Sequence, residues 1–238
     1  MGASLPADNA AATSAVQAIR SGDTDSLQRL LQDYPGLSNT RVDGQRTLLH
    51  VATDWPGHFP NNSATVTVLL AAGAGVNTPF LGEHSETPLH WAASCNDVDV
   101  LDTLLEHGAD IEAPGAVIGG GTPLADAVAF GQWEAARRLV ERGAATTLWQ
   151  AAALGMMDRV RPYFAAEPPP LPEITNAFWC ACFGGQQLAA EYLLAHGADF
   201  NWTGHDGLTP LDAASTRGAE PLVAWLQGIG AKSAADLR

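Results

Sequence analysis

The sequence predicts a mainly α-helical solenoid of about seven stacked helix pairs joined by short hairpin or loop fingers. Three observations carry that expectation. Thr-Pro-Leu recurs at Thr87, Thr122 and Thr209, with a near copy in Thr47-Leu48-Leu49-His50-Val51-Ala52. A Gly-Ala pair follows each of the three Thr-Pro-Leu boxes 21 residues after its Thr, at Gly108-Ala109, Gly143-Ala144 and Gly230-Ala231. Leu pairs fall between the markers, at Leu30-Leu31, Leu69-Leu70, Leu104-Leu105 and Leu193-Leu194. Two independent markers in one register, three times over, define a repeat.

Each element of the unit has a local cause. The Thr caps a helix by accepting from an orphan amide, and the Pro after it fits a first turn that needs no amide donor. The paired Ala residues that follow make a narrow face on which a neighbouring helix can lie close. Gly22, Gly131, Gly155, Gly185 and Gly218 permit a tight turn into a second helix, which carries the Leu pair. The Gly of Gly-Ala ends that helix in a left-handed cap. One such pair cannot enclose a core, so its apolar faces are covered only by stacking on neighbours.

The unit resembles the ankyrin repeat, a stretch of about 33 residues with a turn or hairpin and two antiparallel helices. Units start near residues 13, 47, 87, 122, 146, 176 and 209, which makes residues 1–238 a single array. The fifth is read from Thr146-Thr147-Leu148-Trp149-Gln150 and the sixth from Asn176-Ala177-Phe178-Trp179. Only 24 residues separate Thr122 from Thr146, which leaves little chain for a finger there. The proline run within Ala165 to Pro172 stands where the fifth unit should stop, and is expected to act as a stiff joint. The resemblance implies that His50 and His90 tie neighbouring units together, and that binding uses the finger tips and the exposed ends of first helices.

Composition narrows the function. Apolar residues make up 46% of the chain, enough for a continuous core, and the formal charge is −14. That charge speaks against nucleic-acid or anionic-membrane partners and allows a basic peptide. The sequence has no secretory start and no apolar run of membrane-spanning length, so a cytoplasmic protein is expected. Cys95, Cys180 and Cys182 read as free buried thiols. No catalytic, phosphate-binding or metal-binding signature is present, so no cofactor and no metal are expected.

Two departures from the repeat point to a candidate site. The position four residues after the Thr reads Trp91 in the third unit, Asp126 in the fourth and Gln150 in the fifth. An acid and an amide there are not explained by packing, since burying a carboxylate is costly without donors. The second unit carries five extra residues, in a loop with Asp54, Trp55, Pro56, Gly57, His58 and Phe59. Rigid aromatics with polar tips are the composition of a binding surface. The expected binding residues are Asp54, Trp55, His58, His84, Glu86, Trp91, Asp126 and Phe130. The expected function is a non-catalytic scaffold that presents a concave groove to a protein or peptide. The alternative is a small-molecule binder or enzyme with an acidic, aromatic pocket on units two to four, where Asp126 or His84 acts as acid or base.

Overall fold

A computed structural model describes residues 4–5, 10–165 and 167–238. The chain forms two compact units, Met1–Ala144 and Ala145–Arg238.

Among the described residues the first unit holds four helix pairs: α1 (Ala10–Ser21) with α2 (Thr24–Asp33), α3 (Leu48–Thr53) with α4 (Asn62–Ala71), α5 (Pro88–Ser94) with α6 (Val98–Glu106), and α7 (Pro123–Ala129) with α8 (Trp133–Glu141). The first helices pack in succession, α1 on α3, α3 on α5 and α5 on α7, and the second helices do the same. A small three-stranded sheet is built from β1 (Ser4–Leu5), β2 (Arg41–Val42) and β3 (Arg46–Thr47). β1 pairs parallel with β2, and β2 pairs antiparallel with β3 as a hairpin finger ahead of α3. The fingers ahead of α5 and α7 are turns and irregular backbone.

The core follows the repeat. Leu48, Leu49, Leu89 and Leu124 of the first helices, and Leu69, Leu101, Leu104 and Leu139 of the second, are fully buried between layers of Ala. Each such side chain contributes about 1.5–3 kcal/mol by leaving water. The tight turn between α7 and α8 uses Gly131 at φ +69°. In the third pair Asn96 takes that conformation at φ +57° and uses its side chain as well, since Asn96 Oδ1 accepts from the Ala135 amide of the next pair at 2.9 Å.

His50 and His90 fasten successive repeats. The amide of Thr47 donates to His50 Nδ1, so the ring proton sits on Nε2 and donates to the carbonyl of Glu86 at 3.1 Å. In the same way the Thr87 amide donates to His90 Nδ1, and His90 Nε2 donates to the carbonyl of Gly121. Burial holds both rings neutral, with His50 lowered to about 4 and His90 below its ordinary value, although the carbonyl bonds work against that shift.

Among its described residues the second unit holds three pairs: α9 (Leu148–Ala153) with α10 (Met157–Val160), α11 (Leu171–Phe183) with α12 (Gln187–Ala195), and α13 (Pro210–Thr216) with α14 (Glu220–Gly228). Its core gathers Leu148, Ile174, Phe178, Cys182, Leu193, Leu222 and Leu226. A short 3-10 turn, Arg161–Phe164, extends α10.

Two boundaries differ from the sequence reading. α11 starts at Leu171 rather than near Asn176, because Pro172 falls in its first turn, where the missing N–H is no loss. The cap of α9 is Thr147 rather than Thr146, and Gln150 Oε1 accepts from the Thr147 amide at 2.8 Å. Gln150 therefore closes a capping box, the part His50 and His90 play in α3 and α5, and is not a counterpart of Asp126. Between α8 and α9 only residues 142–147 remain, with no strand.

Candidate functional site

The first unit carries a hollow of about 400 Å³ at the ends of α3, α5 and α7. Trp55, Trp91 and Phe130 contribute its rings, Asp54 and Glu86 its carboxyls, and Thr53, Pro56, Ser94, Cys95, Val117 and Gln132 the remaining wall. Trp55 is 81% exposed and Phe130 is exposed too, whereas Glu86 is buried.

The loop after α3 holds Trp55 out because it is tied at several points. Asp54 Oδ1 accepts from the Trp55 amide, and Asp54 Oδ2 accepts from Arg46 at 2.8 Å. The amide of His58 donates to Asp97 Oδ2, and His58 Nε2 lies 3.1 Å from the Cys95 carbonyl. Asn61 reaches back to the carbonyl of Gly22. The loop is thus stitched to the repeats before and after it, and His58 serves that stitching rather than the hollow.

Glu86 is the polar centre. It sits in the finger ahead of α5, where its carbonyl accepts from His50 Nε2 and from the Phe80 amide at 2.7 Å. Its Oε2 accepts from the indole N–H of Trp91 at 2.7 Å, and its Oε1 accepts from the Val117 amide at 2.9 Å. His84 Nδ1 stands 3.2 Å from Oε2 but is not aligned for a hydrogen bond. The His84 ring stacks on Phe80 at 4.6 Å, Phe80 leans on Trp91 at 5.6 Å, and His50 meets Trp91 edge-on at 4.9 Å. These rings fix Trp91 from behind and leave one side for the hollow.

Asp126 lies under this arrangement with 0% exposure, and no hydrogen bond of normal geometry reaches either of its oxygens. Burial, followed by the nearby Glu86 carboxyl, pushes its pKa up to about 8, so at neutral pH it is mainly a neutral acid. It is not part of the wall.

The structure thus brings together Asp54, Trp55, Glu86, Trp91 and Phe130, sets His84 against the back of Glu86, buries Asp126, and directs His58 to the neighbouring turn. Val117 and Gln132 were missed by the sequence reading. Val117 belongs to an irregular finger without periodicity, and nothing in its local sequence marks it as a partner of Glu86. Among the described residues no group of His, Cys, Asp and Glu could hold a metal ion, and no helix is long and apolar enough to cross a membrane. The three thiols are free, with Cys95 raised to about 11 and Cys180 to about 12 by burial.

Comparison with known proteins agrees with the fold. Residues 15–115 and 60–150 match a model of ankyrin repeats in three copies, and residues 178–227 match one of ankyrin repeats in many copies. The chain belongs to the ankyrin-repeat family. It is 38% identical over 98 residues to the RelA-associated inhibitor of Mus musculus, covering 41% of this chain and 11% of that protein. It is 29% identical over 199 residues to the nuclear factor NF-kappa-B p105 subunit of Gallus gallus, covering 84% of this chain and 18% of that one. The chain therefore spans less than a fifth of either relative.

Proposed function

We propose that the chain is a protein-interaction scaffold, and that the hollow of Asp54, Trp55, Glu86, Trp91 and Phe130 is where a partner docks. One observation carries the reading: two exposed aromatics, Trp55 and Phe130, stand beside a buried carboxyl in a preformed concavity. Rigid rings that need no ordering on binding provide contact area at low entropic cost. The repeat supports the same reading, because stacked units exist to display an extended surface. The name of the RelA-associated inhibitor records association with another protein, which accords with a scaffold here.

The two exposed rings of the hollow, Trp55 and Phe130, favour a protein surface over the small-molecule or enzymatic alternative. The groups offered for acid–base work do not meet there. Asp126 is enclosed, His84 does not line the hollow, and Glu86 is already held by two donors.

A photo-crosslinking amino acid placed at Phe130, and in a second variant at Thr103 on the outer helix α6, tests the reading in cells. Partners crosslinked from position 130 and absent from position 103 support it. Partners crosslinked equally from both positions, or from 103 alone, refute it.

A further inference from the structure

We propose that the hollow receives a single basic side chain, arginine or lysine, projecting from the partner, with the Trp55, Trp91 and Phe130 rings as walls and Glu86, backed by Asp126, as counter-charge. The inference rests on the scaffold reading and specifies its ligand.

Charge decides the chemistry. None of the residues lining the hollow is basic, and two are carboxylates. Asp54 is already matched by Arg46 at 2.8 Å, whereas among the described residues Glu86 has no lysine or arginine partner and only the His84 ring at 3.2 Å. Both Glu86 oxygens accept one hydrogen bond from the protein and keep capacity for another. Aromatic faces attract cations, the more so once water is excluded, and they suit a guanidinium or an ammonium better than an anion. A chain of net charge −14 also draws basic segments to its surface.

Asp126 is the independent sign of a ligand. It is a fully buried carboxyl whose oxygens make no hydrogen bond of normal geometry, only looser approaches to the Glu86 side chain and the Ile118 backbone, on the same position of its helix that Trp91 holds on the preceding one. A buried acid held so loosely gains little from its neighbours to offset the cost of leaving water. Beside Glu86 it makes a pair that cannot hold two charges while the hollow is empty. An incoming cation at Glu86 would let the second proton leave, so uptake releases a proton and tightens as pH rises toward 8. The groups that bear on this pair are His84 at 3.2 Å from Glu86, the His90 ring, whose charge is coupled to Glu86, and the Arg46–Asp54 pair at the rim. Both His50 and His90 are held neutral, so neither of them adds positive charge behind Glu86.

The test follows the indole N–H signals of Trp91 and Trp55 in the nitrogen-labelled full chain during titration with N-acetyl-arginine amide. N-acetyl-citrulline amide, nearly the same shape without the charge, is the control at equal ionic strength. Saturable shifts with the arginine probe alone, lost in Glu86→Gln, are expected. The affinity should also rise between pH 6 and pH 8 in the wild type and stay flat in Asp126→Asn, which should bind roughly tenfold more weakly at pH 8, a factor equal to one pKa unit of coupling. Equal shifts with both probes, or shifts that survive Glu86→Gln, overturn the proposal. If Glu86→Gln does not fold, Asp126→Asn decides alone, and wild-type affinity with wild-type pH dependence overturns it. Crosslinks from position 130 without an arginine-specific shift sink this inference and leave the scaffold reading standing, whereas absent crosslinks sink the scaffold reading itself.

Discussion

Trp91 and Glu86 are joined by a hydrogen bond of 2.7 Å from the indole N–H to Oε2, which makes one ring and one carboxylate a single rigid element of the hollow. His50 holds the other end of Glu86 through its carbonyl, so a residue of one repeat positions the acid of the next. The same bond that ties repeats together therefore shapes the site, and stability and binding share these residues.

Asp126→Asn separates them by its pH dependence. The folded value of the Asp126 carboxyl, about 8, lies above its ordinary 3.8, so the folded chain keeps a proton that the unfolded chain has released. Its contribution to stability is full below pH 4 and declines as pH rises to about 8. An Asn amide, able to donate to Glu86 at every pH, removes that decline. Urea midpoints should nearly coincide at pH 4, and at pH 8 the variant should be more stable by about 2–5 kcal/mol. Parallel midpoints across that range would show that Asp126 is not held protonated.

His50→Gln should move stability in the opposite pH window. The folded His50 ring titrates near 4, below its ordinary 6.5, so its contribution is present above pH 6.5 and lost as pH falls to about 4. A Gln can close the capping box, as Gln150 does in α9, but cannot also reach the Glu86 carbonyl. The variant should lose about 1–2 kcal/mol at pH 7 and be less sensitive to acid than the wild type. Thermal melts at pH 7 and pH 4.5 check both statements, and an unchanged acid sensitivity would contradict them.

The register of the second helices is tested by two leucines. Leu104 is 0% exposed and Leu188 is 73% exposed. Leu104→Ala should cost about 2–5 kcal/mol, and Leu188→Ala should stay within about 0.5 kcal/mol of the wild type. Chemical unfolding of the two variants gives the comparison, and similar losses would refute the assigned faces.

Much of this was legible in the chain. Thr-Pro-Leu and Gly-Ala are local signals, each acting on its own helix end, so their spacing reported the unit directly. Asp126 stood out because a carboxyl interrupts an apolar position, and the structure gives it no hydrogen bond of normal geometry. Gln150 was misread for a geometric reason. α9 has six residues where α7 has seven, so counting back from the turn glycine and counting forward from the cap disagree by one. The partners of Glu86 were hidden because Val117 meets it across two fingers, a contact between irregular segments that no periodicity records. His58 carried the composition of a binding residue, but its neighbour is the backbone of the next repeat's turn.

The central claim is that the hollow is the docking surface, and Trp55 tests it most directly. This ring is almost wholly exposed and lends little to the core, so Trp55→Ala should leave the melting temperature within a degree or two of the wild type. With the crosslinked partner purified, titration calorimetry should then show affinity falling by at least about thirtyfold, the loss typical of a buried aromatic anchor. Wild-type affinity in a variant of unchanged stability would contradict the claim and place the docking surface elsewhere on the repeats.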